Sequence, residues 1–480
     1  METRRNAKFA SIMVLMYALA NAVAPLVAYG AGVKHYVNIS NATPRAPYTS
    51  WDWAATNIQD ALDSCTSYDQ IIVTNGAYDA GGRIDASAGM VTNRVAITNG
   101  IAVRAFSPDP ADTVIVGAPD MRGGAPSNGP AAVRCAYLGA DCSLEGFTLR
   151  GGFTSTGTAA AAHGGGAYCQ SARLSNCVIV SCTAARSGGG AYGGTFYGCL
   201  VISNLSLGDG GGGYGGNYFN CRIITNYAAG NGGGGYGGIY SNCEINCNNA
   251  PYSGGALFSA TVYDSIISNN AARINYGGAL QGGAAYNCVI VGNRGVGSCG
   301  GVIEASCVNC IILDNVGVYG SVSYGSYMFR NCLIAGNRNS RCFWSSVKMV
   351  NCTVVSNRSG VFGSSAGVTN CIIYGNSPSD VPNLDVESNC YYSCIGSNSA
   401  GTTRVAGRFN LYDVPPGFRD PAAGDYRLGS GWSPCFNAGI IEPWMTNGVD
   451  LDGNRRIRNG NVDMGAYELW IRNGTLFKAR

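Results

Sequence analysis

Five carboxylates stand between Gly164 and Asn376, namely Asp209, Glu244, Asp264, Glu304 and Asp314. Two of them, Glu244 and Asp264, have the spacing that chemistry would need. Paired carboxylates can act as acid and base on a glycosidic bond, or ligate Ca²⁺ for a lyase. If both face outward from adjacent turns of a coil, strand spacings put them about 8 Å apart, inside the range of inverting glycoside hydrolysis. Arg222, however, occupies the position of Glu244 one repeat earlier, so a surface ion pair beside a separate aspartate is the stronger expectation. Glu244 and Asp264 are therefore the catalytic candidates the repeats offer, and the reading leans against catalysis.

Other motifs lose their force in context. Gly211, Gly213 and Gly216 have a dinucleotide-loop spacing without a strand–helix–strand unit around them. The "HGGG" at His163 lacks the nucleophile elbow that would make it half of an oxyanion hole. "GGGGYG" puts glycine where a Ca²⁺-binding nonapeptide needs aspartate. The two histidines, His35 and His163, cannot make a metal site alone, so no metal and no cofactor is expected. A tyrosine column offers the one remaining chemistry, stacking against sugar rings, with simple filling of the coil as the competing role.

The elements that position these residues come from a repeat. "GGGGYGGNYFNCRIITN" at 210–226 returns as "GGGGYGGIYSNCEINCN" at 232–248, 22 residues later. The cysteine recurs as Cys177, Cys199, Cys221, Cys243, Cys288, Cys310, Cys332, Cys352 and Cys371, with Ser265 in the one gap. Two positions on come ten β-branched aliphatics, from Ile179 and Val201 to Ile373. Five positions on come Asn204, Asn226, Asn248, Asn270, Asn293, Asn315, Asn337, Asn357 and Asn376. Upstream stand Tyr168, Tyr192, Tyr214, Tyr236, Leu257, Leu280 and Ile303.

A fixed period of this length means stacked supersecondary units. The Cys-x-Ile/Val alternation puts two apolar side chains on one face of a short strand. Clustered glycines exclude helical solenoids. The expected fold is all-β, a right-handed parallel β-helix with a short N-terminal capping helix and an irregular C-terminal cap. Cysteine and aliphatic columns fill its interior, asparagine fits a left-handed turn and can bond from rung to rung, and glycine serves tight corners. Stacked cysteines point the same way too far apart for relaxed disulfides, so the nine ladder cysteines are expected as thiols. Disulfides are expected among the other twelve of the 21, such as Cys390, Cys394 and Cys435.

The 480 residues include 71 glycines and only 12% charged residues. A net charge of +3 leaves no basic field for nucleic acid. Arg4, Arg5 and Lys8 before an apolar run mark residues 1–31 as a signal peptide, cleaved between 20 and 31. Phe9–Tyr29 is long enough to span a bilayer, but Asn21 and Pro25 interrupt it. No transmembrane segment is expected in the mature chain, and a monomer is. Residues 33–150 hold the N-terminal cap and first coils, with the helical stripe Ile58, Ala61 and Leu62 across the first coil. Residues 151–376 are the regular repeats, entered by a surface loop at 151–162. Residues 377–480 are a C-terminal cap where proline returns.

These motifs carry a resemblance. The Gly-Gly-Ala-[Tyr/Leu/Ile] and Asn-Cys-x-Ile-x-x-Asn patterns are similar to the repeats of polymorphic outer membrane proteins. The N-terminal region looks like the opening of pectate-lyase-like β-helix proteins. "DPAAGDYRLGSGWSPCFNAG" and "DLDGNRRIRNGNVDMGAYE" resemble the choice-of-anchor Q region of bacterial surface β-helix proteins. The resemblance implies a secreted or cell-surface protein with an adhesive or structural role. Twelve residues after Glu468 leave no room for a translocating barrel or an anchor peptide. The expected function is an exported, non-enzymatic interaction protein, with a polysaccharide or another surface protein as partner. The alternative is a carbohydrate-active enzyme, a polysaccharide lyase or glycoside hydrolase, on the same scaffold.

Overall fold

A computed structural model describes residues 32–84, 90–157, 159–274, 276–297, 299–325, 327–339, 341–343, 347–360, 367–380, 389–397 and 408–470. The signal-peptide expectation for 1–31 lies outside them. The described residues fall into two compact units, 32–283 with Arg294–Val296, and Ala284–Asn293 with 297–470. The fold is a right-handed parallel β-helix, and strands of each unit pair with those one coil away. No helix among the described residues is long and apolar enough to cross a membrane.

In the first unit β1 (Lys34–Val37) pairs in parallel with β2 (Gln70–Val73). Between them α1 (Ile58–Asp63) buries Ile58, Ala61 and Leu62, the stripe read from the sequence. Asn57 caps α1 by accepting from the Asp60 amide, and Gln59 accepts from the Ala96 amide at 2.8 Å. One rung of the repeat then makes three walls, for example Ala191–Tyr192 with Thr195–Tyr197, Leu200–Ile202, and Leu205–Ser206. Phe196, Val201 and Ser206 point inward from those walls and are fully buried. The segment 151–162, expected as a surface loop, instead buries Thr154, Ala161 and Ala162, the last two in a short helix, Ala159–Ala162.

The asparagine column departs from expectation in an instructive way. Left-handed backbone belongs to the residue before it, as at Ser203, Thr225, Cys247 and Asn269 with φ of 54–56°. A second left-handed turn falls just before the cysteine, at Asn176, Asn220, Asn242 and Asp264. The ladder asparagines themselves are buried and serve as connectors. The backbone and side-chain N–H groups of Asn204 both donate to Asn226 Oδ1, and Asn226 and Asn248 repeat this toward Asn248 and Asn270. The other amide proton goes to a carbonyl, Ile179 O for Asn204 and Val201 O for Asn226. In the second unit the same relay runs Asn293, Asn315, Asn337, Asn357, Asn376 at 2.9–3.1 Å. Asp380 Oδ1 ends it, accepting both N–H groups of Asn376 at 2.7 Å.

The cysteine column also hydrogen-bonds. Cys221 Sγ accepts from the Cys199 amide at 3.3 Å and donates to the Phe219 carbonyl, so Cys221 and Cys243 stand on neighbouring rungs. At Ser265 the hydroxyl takes the same role, accepting from the Cys243 amide at 2.9 Å. All 21 cysteines are thiols, including Cys390, Cys394 and Cys435 where disulfides were expected. In register Cys307 faces Ala285 and Phe329, Cys390 faces Val368, and Cys394 faces Ile372, while Cys394 and Cys435 meet as two thiols in one buried cluster.

Inner aromatics explain a change in the glycine motif. Phe196, Tyr218 and Tyr240 stack with centroids 4.6 and 4.9 Å apart, fully buried. The rung with Phe196 carries Ala191, while those with Tyr218 and Tyr240 carry Gly213 and Gly235. A Cβ at Gly213 or Gly235 would overlap the phenol oxygen of Tyr218 or Tyr240. On the next rung Val262 is smaller, and Leu257 fills the space by pointing inward. The outward column therefore continues through Phe258, one position later than the sequence alignment placed it.

In the second unit Arg456 is fully buried beside Asp450, Asp463 and Glu468. Its guanidinium pairs with Glu468 at 3.2 Å and donates to Gly465 O at 3.0 Å. Asp450 accepts from the amides of Asp452, Asn454 and Glu468, and Asp463 from those of Asn437 and Leu469. Three carboxylates around one guanidinium leave an excess of buried negative charge. Burial pushes the Glu468 carboxyl up to about 9, against the pull of Arg456.

Two outcomes follow. Gly213→Ala lowers stability by about 1–3 kcal/mol through overpacking. Adding Tyr218→Phe recovers most of it by restoring the Ala191–Phe196 arrangement; strictly additive effects in denaturant titrations would refute this fit. The folded chain keeps on Glu468 a proton that the unfolded chain releases near 4.5. That contribution is complete below about 4.5 and is lost as pH rises through 9, so Glu468→Gln flattens the fall in melting temperature over this window.

Candidate functional site

The outer face of the first wall in the first unit combines exposed aromatic edges with a strip bare of side chains. Tyr168, Tyr192, Tyr214, Tyr236 and Phe258 stand in register, each half-buried. Their centroids are 5.1, 5.2, 4.7 and 4.8 Å apart, and the tyrosine planes lie within 11° of one another. Stacking at the rung spacing covers each ring's faces with its neighbours, so no sugar ring can enter between them. The column meets solvent with ring edges and hydroxyls, so of the two roles the sequence left open, stacking against sugar faces is the one this packing blocks.

The upper end of this column is braced from below. Arg134, fully buried, lies 5.1 Å from the Tyr168 ring and donates to Asn93 Oδ1 and to the carbonyls of Ala160, His163 and Gly164. His163 packs 4.6 Å from Tyr192, and its Nδ1 accepts from the Ser187 amide. Burial pushes its imidazole down, which keeps the ring neutral at pH 7.

Beside the tyrosines run the doublets Gly193–Gly194, Gly215–Gly216 and Gly237–Gly238. Gly215 has φ of 70°, and a Cβ there would meet nothing within 4 Å, so this glycine opens outward. At Gly238 a Cβ would strike the carbonyl of Gly216, which shows how closely adjacent rungs approach along the strip. Across the glycines stand Thr195, Asn217 and Ile239, then Tyr197 stacked on Phe219 at 5.2 Å with Arg173 4.2 Å over Tyr197. The result is a trough with a backbone floor, one wall of phenol edges and one of mixed polar and aromatic groups.

The carboxylates lie elsewhere. Glu244 sits on the second wall between Arg222 and Ile266 in register, its carboxylate 2.7 Å from the Arg222 guanidinium. Asp264 occupies the left-handed turn one rung on, φ 49°, in the column of Asn176, Asn220 and Asn242. Glu304 and Asp314 are likewise at positive φ, and Asp314 pairs with Arg338 at 3.5 Å. Asp209 accepts from the amide and side chain of Asn231. Turn geometry, which favours short polar side chains in the left-handed region, accounts for Asp264 and Asp314.

One cluster escaped the sequence reading. His35, Cys65 and Asp69 bring a ring nitrogen, a thiol and a carboxylate oxygen within 4.8 Å of one another, the grouping of this kind among the described residues. The available signal was Cys65 and Asp69 four apart, just after the capping helix and outside the repeat, but nothing in the sequence tied them to a histidine thirty residues earlier.

No family model matches the chain, and no curated protein matches it. Among solved structures, pectate lyase Pel9A is 14% identical with a TM-score of 0.31, over 91% of this chain and 96% of that one. The alginate lyase AlyGC of family PL6 is 12% identical with a TM-score of 0.37, over 80% and 58%. The Dettilon tailspike protein is 10% identical with a TM-score of 0.34, over 79% and 68%. These neighbours are pectate-lyase-like right-handed β-helix proteins, and the likeness concerns the fold.

The Arg222–Glu244 pair lies on an open face, where such pairs contribute little. Glu244→Gln changes unfolding free energy by less than about 1 kcal/mol in denaturant titrations. A larger loss would mean that the pair carries more than a solvated surface contact.

Proposed function

We propose that the chain is an exported glycan-binding β-helix that works at the cell surface or outside the cell, and that the trough on its first wall takes a linear polysaccharide laid along the coil axis. One observation carries the reading: an unbroken row of tyrosine edges beside a glycine floor, repeated at the rung spacing. A polymer with regularly spaced hydroxyls can meet phenol oxygens, Thr195 and Asn217 rung after rung, and lie close to bare backbone, as concave sites with a few placed polar groups require. Many weak contacts along one polymer add up to useful affinity. The apolar N-terminal run and the resemblance of the repeats to outer-membrane and surface β-helix proteins support export and surface display. Binding without cleavage is favoured because Glu244 and Asp264 sit off the trough, one ion-paired and one built into a turn.

The test is affinity electrophoresis and calorimetry against a panel of neutral and acidic polysaccharides, with product analysis on each. Gly215→Asn puts a side chain into the trough at a φ that asparagine tolerates. It weakens binding of the selected glycan at least about tenfold, the cost of roughly one well-placed contact. Tyr214→Phe weakens it a fewfold, and Glu244→Gln leaves it unchanged. Binding indifferent to Gly215→Asn would overturn the placement. Shortened or unsaturated products that vanish in Glu244→Gln would replace this reading with a carbohydrate-active enzyme.

A further inference from the structure

We propose that His35, Cys65 and Asp69 form a three-ligand site for a transition-metal dication of zinc's type, fastening the capping helix to the first coil. The three residues come from three elements that meet there. His35 lies on β1, Cys65 follows the end of α1, and Asp69 immediately precedes β2. His35 and Asp69 are each 3% exposed, and Cys65 is partly open to solvent, which gives an ion a way in.

The argument starts from the imidazole. His35 Nδ1 lies 2.6 Å from the carbonyl oxygen of Pro47, which can only accept, so Nδ1 carries the proton. In the neutral ring Nε2 is then a lone pair, and it faces Asp69 Oδ2 at 3.2 Å. Two acceptors aimed at each other in a buried place repel, so a positive charge belongs between them. Either a second proton or a metal ion can supply it. A ligating histidine usually donates its other N–H to a carbonyl or carboxylate, which is the arrangement with Pro47.

Asp69 is held for the same task. Oδ1 accepts from the Val33 amide at 2.8 Å, and Oδ2 from the Thr66 amide at 2.7 Å and hydroxyl at 3.0 Å. Two N–H groups and a hydroxyl converging on its oxygens are the setting of an ionised carboxylate.

The third ligand separates a metal from a proton. An imidazolium–carboxylate pair has no need of a thiol, yet Cys65 Sγ converges on the same point. That thiol donates to the Ala61 carbonyl at 3.2 Å, so on its own it offers no thiolate. A bound dication reverses this: the S–H bond ionises, the proton leaves to solvent, and the thiolate, Nε2 and a carboxylate oxygen each give an electron pair to the metal. Bond lengths to zinc place ligand atoms of a tetrahedral site about 3.5 Å apart, so the cluster closes by an inward shift of about 1 Å. A mixed N, S and O set suits a borderline ion, and the fourth position is left for water. This site is independent of the glycan trough.

The experiment strips the purified chain with a chelator and titrates it with Co²⁺, then Zn²⁺. One equivalent of Co²⁺ gives a thiolate-to-cobalt charge-transfer band, Zn²⁺ abolishes it, and the melting temperature rises. Cys65→Ser, a near-isosteric change at a partly exposed position, removes the band and weakens affinity at least about tenfold. His35→Gln weakens affinity to the same extent. Cys247→Ser, at the exposed cysteine, keeps both band and affinity. A wild-type chain with no band at equimolar Co²⁺, or a band that survives Cys65→Ser, would sink the proposal. So would nuclear magnetic resonance showing both His35 ring nitrogens protonated in saturating Zn²⁺, the signature of a plain ion pair.

Discussion

The buried amide relay is the constraint on which the coil depends. Asn204, Asn226 and Asn248 each hold the next rung through two N–H groups on one oxygen, and each ties back to an aliphatic carbonyl with its remaining proton. A buried amide with an unmade bond costs about 1–3 kcal/mol, so a slip of one residue would strand several groups at once. The relay thereby fixes the register to the residue. The cysteine column repeats the device with a softer group, and Ser265 substitutes because a hydroxyl can make the same two contacts. Asp380 closes the relay with a carboxylate in place of an amide, and burial raises its carboxyl.

Fixed register decides what the surface can offer. Like rings stacked at the rung spacing hide their faces, so tyrosines that look like sugar platforms in sequence become a row of edges. Glycine doublets, needed where adjacent backbones nearly touch, become a floor. The turns absorb short polar side chains, which removes Asp264 and Asp314 from the list of free carboxylates. Repetition thus presents the same kind of side chain at the same place on successive rungs of this face.

Charge is treated differently away from the repeats. The repeats bury amides, thiols and aliphatics and keep ionic groups on turns and faces. Arg456 with Asp450, Asp463 and Glu468, and His35 with Asp69, are buried where the period is absent and the chain must close irregular structure. Buried ionic groups need several partners to be tolerated, and Asp69, Asp450 and Asp463 each accept from at least two backbone amides. Such networks lock one arrangement of irregular backbone more sharply than apolar packing would.

The sequence by itself determined the solenoid, its inward Cys and Ile/Val columns, the hydrogen-bonding asparagines and the capping helix, because a strict period makes every rung report the same environment. It also showed that Arg222 and Glu244 would meet, since equal offsets in a parallel stack are neighbours. Only the tertiary structure decided which asparagine position turns left-handed, that Phe258 rather than Leu257 extends the tyrosine column, and that Thr154, Ala161 and Ala162 pack inward. Those outcomes rest on packing between unlike residues, such as the Tyr218 hydroxyl against Gly213, which no offset encodes. The same holds for His35, Cys65 and Asp69: outside the repeat, closeness in space is set by how the cap folds back on the first coil, and sequence distance says nothing about it.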